Sequence, residues 1–107
     1  MEFHAHIYYS EATRASALKL RENIMMLAGG RLRVYTLSDG PRGPHVTPMF
    51  GVDIPASDMA EVLEFLMRHH GPHPVLFHPV TGNELLDHTH HACWLGSPQH
   101  LDLSIIA

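Results

Sequence analysis

Eleven of the 107 residues are histidine, and four of these, His4, His6, His45 and His78, fall in segments that read as strands. His4 and His6 lie two apart in Phe3-His-Ala-His-Ile-Tyr-Tyr9, so on a strand both side chains leave the same face. A neutral imidazole is a common metal ligand, and its proton exchanges near neutral pH. Several imidazoles gathered on one sheet face therefore point to a metal site or a proton-transfer site. Whether they gather depends on the elements that carry them.

Residues 3 to 9 are rich enough in aromatic and β-branched side chains for a first strand. Ser10 is placed to cap a helix with Glu11 in its first turn, and Ala17, Leu20, Ile24 and Leu27 recur at helical spacing up to Gly29-Gly30. Leu32 to Leu37 reads as a second strand, and Ser38-Asp-Gly-Pro-Arg-Gly-Pro44 is turn chemistry. His45 to Ile54 reads as a third strand, in which Pro48 removes one ladder donor and forces an irregularity. Ser57 and Asp58 open a second helix with the apolar stripe Met59, Val62, Leu63, Leu66 and Met67, and Gly71-Pro72 closes it. Val75 to His78 is a fourth strand, Pro79 to Asn83 a turn, and Leu101 to Ile106 a further strand in the C-terminal tail. The order is βαββαβ. It predicts an α+β, ferredoxin-like domain over residues 1–107, an antiparallel sheet with two helices on one face and a C-terminal extension.

In that plan strands one and three are expected to be parallel neighbours, with strand four antiparallel to strand one. The start of strand one, the start of strand three and the end of strand four would then share one edge, bringing His4, His6, His45 and His78 together. Side-chain parity agrees. Phe3, Ala5, Ile7 and Tyr9 suit the face beneath the helices, which leaves His4, His6 and Tyr8 on the open face. On the third strand Val46, Phe50 and Val52 suit the helix side, which turns His45, Thr47 and Met49 outward.

Composition removes several classes of function. A formal charge of −4 and seven scattered Lys and Arg residues give no electrostatic footprint for nucleic acid. The single cysteine, Cys93, excludes an internal disulfide and a cysteine-based zinc knuckle, and it reads as a small buried apolar group. No apolar run approaches the roughly 20 residues of a membrane span. Glu2, His4 and His6 interrupt any signal-peptide pattern, so a cytoplasmic location is expected. His69, His70 and His73, near the end of the second helix, read as surface residues beside its negative dipole end, and His90 and His91 read similarly.

Phe3-His-Ala-His-Ile-Tyr-Tyr9, Gly43-Pro-His45 leading into Pro48-Met-Phe50, His78-Pro-Val-Thr-Gly82, Asp87-His-Thr89, Trp94-Leu-Gly96 and Leu101-Asp-Leu103 follow one another over nearly the whole chain. Together they resemble the DOPA 4,5-dioxygenase family. Where members of that family read Gly-Pro-His-Pro, this chain has Val46 after His45, which keeps the imidazole but loosens the turn. The resemblance implies a ferredoxin-like enzyme that opens a catechol ring in the extradiol manner, using dioxygen and non-haem Fe(II). Zinc or nickel would be acquired readily during purification. It implies that His6, His45 and His78 hold the metal with His4 competing or supporting, and Glu2, which shares the parity of His4 and His6, is a candidate carboxylate. The Asp87-His-Thr89 motif makes His88 the candidate for proton transfer, its tautomer set by Asp87, and the parity of Tyr8 with His4 and His6 suits it to a hydrogen bond to substrate.

Met49 and Leu76 would leave the open face apolar, so either the tail from Glu84 folds across it or two chains pair there as a homodimer. Two other classes of function fit the same residues. One is a non-catalytic metal- or ligand-binding module, since the fold alone does not decide function. The other is an acid–base enzyme that needs no metal.

Overall fold

The computed structural model, which describes residues 1–107, places β1 (Glu2–Tyr8) at the centre of a five-stranded antiparallel sheet. The chain continues through α1 (Arg14–Ala28), β2 (Arg33–Val34), β3 (Met49–Pro55), α2 (Met59–His69), β4 (Val75–Pro79), α3 (Glu84–Asp87) and β5 (Cys93–Leu95). The strand order is β2-β3-β1-β4-β5, the expected ferredoxin-like unit with one strand added at the β4 edge. No helix is long and apolar enough to cross a membrane.

Local chemistry accounts for the helices. A 3₁₀ turn at Glu11–Thr13 precedes α1, and the Ser10 amide donates to Thr13 Oγ1 at 2.9 Å. Gly29 ends α1 in the left-handed conformation at φ 57°, which costs a glycine little. Ala17, Leu20 and Ile24 of α1 and Val62 and Leu66 of α2 pack on Ala5, Ile7, Phe50, Val52, Ile54, Val75 and Phe77 of the sheet. Each large side chain so buried contributes about 1.5–3 kcal/mol. Met67, at the margin of the α2 stripe, is 59% exposed and takes no part.

Four expectations about the strands are overturned. β1 and β3 are neighbours, but they run antiparallel, with Glu2 opposite Pro55 and Tyr8 opposite Met49. The α1 crossover makes β1 and β2 run the same way. β3 turns back from β2 and inserts between them, so it opposes both. His45 is therefore not delivered by a strand. The β3 ladder starts only after Pro48, and His45 is held in the preceding loop by isolated bridges to Arg42 and Leu101. The segment Leu32–Leu37 pairs over two residues only, with a separate bridge from Ser38 to Met49. The tail strand expected over 101–106 is instead one bridge at Leu101 and a 3₁₀ turn at Leu103–Ile105. The added strand is β5, which places Leu76 opposite Trp94.

Tyr8, Met49 and Leu76 form a second cluster on the open face, covered by Ala92, Trp94 and Leu101 from the tail. Trp94 stacks on Tyr8 with ring centroids 5.7 Å apart. The tail thus closes the apolar surface from which a homodimer was expected. Cys93, expected to be buried, is exposed, because β5 is an edge strand and Cys93 leaves the face opposite Trp94. Trp94→Ala is expected to destabilise the protein by about 2–4 kcal/mol. The loss should be visible as a lower urea midpoint together with increased binding of an apolar dye.

Candidate metal centre

The pleat of β1 sends His4, His6 and Tyr8 to the open face, and antiparallel pairing sets His78 of β4 directly opposite His4. The turn after β4 leads into α3, whose C-terminal cap is His88. The loop before β3 brings in His45. Ring centroids lie 4.0 Å apart for His6 and His45, 4.2 Å for His78 and His88, and 5.2 Å for His6 and His78. Two triplets, His4–His6–His78 and His6–His45–His88, each offer nitrogens within 4.8 Å of one another, and His6 belongs to both. All four predicted imidazoles meet, and His88 joins them.

Hydrogen bonds fix how the rings present themselves. His78 donates from Nδ1 to the Pro79 carbonyl at 2.8 Å, and His88 donates from Nδ1 to the Glu84 carbonyl at 2.7 Å. In its neutral form each ring therefore presents its lone pair at Nε2. His6 Nε2 lies 3.1 Å from His78 Nε2, so a single proton is all that can sit between them. His6 Nδ1 is buried with no hydrogen-bond partner. His45 Nδ1 lies 2.8 Å from the Tyr8 hydroxyl, which leaves its Nε2 free. Nitrogens that face one another at 3.1 Å can share either one proton or one divalent cation. Such an all-imidazole set suits iron, zinc or nickel.

Burial, then the neighbouring imidazoles, drives the His6 pKa well below its ordinary value. Burial, then His88, His78 and His4, lowers His45 to about 4. Burial also takes His78 to about 4, against the opposing pull of the Pro79 carbonyl and with help from His88 and His4. Three rings are thus held neutral at physiological pH, the state a metal ligand requires.

Asp87 ties the two ends of this arrangement together. Its carboxylate accepts from the Thr81 amide at 2.9 Å, the Thr81 hydroxyl at 2.7 Å and His91 Nδ1 at 3.0 Å. Burial alone would raise its pKa, but the Thr81 amide, then His91 and the Thr81 hydroxyl, outweigh that and hold it at about 2. Asp87 therefore clips the turn after His78 to the helix that carries His88. It does not set the tautomer of His88, as expected from sequence; the Glu84 carbonyl does. The spacing of four between Asp87 and His91 was a legible signal for their contact. Nothing local in the sequence signalled the contact between Tyr8 and His45, which are 37 positions apart.

The remaining candidates fall elsewhere. Tyr8 is buried, and its hydroxyl meets His45 rather than open space. His4 Nε2 sits between Glu2 Oε1 at 3.0 Å and Asp53 Oδ1 at 3.1 Å, so Glu2 is spent on His4. His73, expected at the surface, is buried as a crosslink, with Nδ1 donating to the Tyr8 carbonyl at 3.0 Å and Ser16 Oγ 2.8 Å from Nε2. Two adjoining clefts open on the histidines. One of about 540 Å³ is lined by His4, His6, His45, His78 and His88 among others, and one of about 390 Å³ is lined by His4, His6, Tyr35, Leu37 and Phe50 among others. Both lie in the size range of small-molecule sites.

The sequence profile of the Dopa 4,5-dioxygenase family matches residues 3–105. This chain belongs to the Dopa 4,5-dioxygenase family. A DOPA 4,5-dioxygenase from Amanita muscaria is 30% identical over 110 residues, which cover 96% of this chain and 48% of that protein. An uncharacterised 21.2 kDa protein from Botryotinia fuckeliana is 32% identical over 114 residues, covering 97% of this chain and 62% of that protein. The chain therefore spans about half to three-fifths of the length of these relatives. The crystal structure of a "putative dioxygenase" from Nostoc punctiforme superposes with a TM-score of 0.92 at 30% identity, covering 97% of this chain and 89% of that one. Within this Dopa 4,5-dioxygenase family domain, the matched segment contains every histidine of the cluster.

Asp87→Ala is expected to weaken metal binding about 10–100-fold while leaving every imidazole in place, measured by competition with a chromophoric chelator. The depressed histidine values also set a pH dependence. The unfolded chain protonates these rings near 6.5 whereas the folded one resists until about 4, so the unfolded state binds more protons in between. Thermal unfolding of the metal-free protein should show full stability above about pH 6.5, with the midpoint falling steadily as pH drops towards 4.

Proposed function

We propose that this protein is a metal-dependent dioxygenase that opens an aromatic ring bearing two adjacent hydroxyls, by the extradiol route. The observation that carries the reading is the gathering of three neutral imidazoles, part-buried His6 with buried His45 and His78, beside a cleft large enough for a single aromatic ring. Family membership and the dioxygenase names of two relatives support it. In this reading His6, His45 and His78 hold Fe(II), which supplies open positions for both catechol oxygens and for dioxygen.

The chain's own residues do the rest. His45 and His78 are kept as unprotonated donors by burial, and the Tyr8 hydroxyl and the Pro79 carbonyl hold the Nδ1 side of each ring. His4 is drawn to the rim by Glu2 and Asp53 and supports the site from outside. His88 is the part-exposed member, with Nδ1–H spent on a backbone carbonyl and Nε2 free towards the cleft. That makes it the group to take a proton from a catechol hydroxyl at Nε2 and to return it later. The Trp94 and Leu101 cover keeps water from the Tyr8 side of the site.

The test is oxygen uptake by anaerobically Fe(II)-reconstituted protein offered L-DOPA and simpler catechols, with absorbance followed for a yellow ring-opened product. Uptake with colour is expected, and His6→Ala or His45→Ala should abolish it. His88→Ala should retain stoichiometric iron and lower turnover about 10²–10⁴-fold, the range for loss of a general acid or base. Lost iron in that variant would make His88 a ligand instead. Stoichiometric iron without uptake of oxygen for any catechol would move the assignment to a binding module.

A further inference from the structure

The chain has seven Lys and Arg side chains, and six of them have a partner within it. Arg14 pairs with Asp39, Lys19 with Glu22, Arg31 with Asp58 and Glu61, and Arg68 with Glu64. Arg21 donates to the Val34 and Tyr35 carbonyls, and Arg33 lies 4.7 Å over the Tyr35 ring. Arg42 alone has a guanidinium with no hydrogen bond, no carboxylate and no aromatic ring. It is also the one cation that lines both clefts at the histidine cluster.

Its position is built. Gly43 takes φ 55°, allowing a two-residue return through buried Pro44. The Arg42 amide then donates to the His45 carbonyl at 2.9 Å, and the His45 amide donates to the Arg42 carbonyl at 3.0 Å. The Asp102 amide donates to the Pro44 carbonyl at 2.8 Å, which pins the turn to the tail. The backbone of Arg42 is thus locked to that of a proposed metal ligand, while its side chain stays free. The acids near it are largely engaged. Asp53 is held by His4 and by the Tyr35 hydroxyl, and Asp87 by Thr81 and His91, which leaves Glu84 as the one free carboxylate lining the larger cleft.

The structure assigns Arg42 as the residue that binds an anionic substituent of the substrate, a carboxylate carried on the side chain of the aromatic ring. The assignment rests on the ring-opening reading for the ring and the metal, though not for the anion. A guanidinium binds a carboxylate through two parallel N–H donors, and it does so best where no internal partner must first be displaced. An anchor fixed by backbone to His45 sets the distance between the anion and the metal. Arg42 is accordingly a specificity-determining residue rather than an acid or base.

The test compares 3,4-dihydroxyphenylacetate with its methyl ester, which differ in charge but share the catechol ring. Dissociation constants are measured by anaerobic calorimetry on Fe(II)-loaded protein, and KM and kcat by oxygen uptake. In the parent protein the acid should bind more tightly than the ester. Arg42→Met should raise Kd and KM for the acid about 10–100-fold, leave kcat within about twofold, and leave the ester unchanged. Arg42→Lys should recover part of the loss. Binding of the acid that depends on Arg42 without oxygen uptake would sink the ring-opening reading and sustain this one. Uptake with both compounds, equally affected or unaffected by Arg42→Met, would sink this one alone. Failure of both compounds to bind would overturn both.

Discussion

The rest of the structure depends on the pleat of β1. In seven residues it alternates Ala5 and Ile7 towards the helices with His4, His6 and Tyr8 towards the open face. A two-residue period cannot be altered locally, since a slip of one position would put imidazoles in the core and alanine in the site. β1 is also the central strand, paired along its length with β3 and over Phe3–Ile7 with β4. Its register is therefore fixed from both sides. The apolar face that secures the fold and the polar face that carries the chemistry are two sides of one strand, and each constrains the other.

The imidazole cluster has an electrostatic cost that the surroundings make tolerable. Desolvation and the neighbouring rings oppose protonation of His6, His45 and His78, so these three remain neutral where an isolated histidine would begin to charge. Backbone carbonyls of Pro79 and Glu84 and the Tyr8 hydroxyl satisfy one nitrogen of three of the rings. His6, with Nδ1 orphaned and Nε2 facing His78 Nε2, is the exception. An unsatisfied buried polar atom costs about 1–3 kcal/mol, and such strain in an otherwise satisfied core tends to mark function.

Closure of the site comes from the chain's own C-terminal segment. Trp94 and Leu101 cover Tyr8, Met49 and Leu76, while Leu101 also bridges to His45 and Asp102 bonds the Pro44 carbonyl. A single segment thus shields the apolar part of the open face and steadies the loop that carries His45 and Arg42. On the far side of that loop, Asp39 is gripped by Arg14 and by the Tyr9 hydroxyl. The loop is long and proline-rich, yet it is tied at both ends.

Periodicity and turn chemistry determined the ferredoxin-like order of elements, the two faces of β1, the α2 stripe and the interruption at Pro48, because each follows from side-chain spacing within a few residues. They also marked His4, His6, His45 and His78 as a set that the fold brings together. Strand direction lay beyond local spacing. It follows from β3 inserting between β1 and β2, which reverses the expected pairing and leaves His45 to a loop rather than a strand. The partners of Asp87, the burial of His73 and the covering role of Trp94 join residues from different elements or across turns, so only the packed structure decided them. Sequence spacing encodes which face a side chain takes, whereas contact between distant segments is settled by how those faces pack.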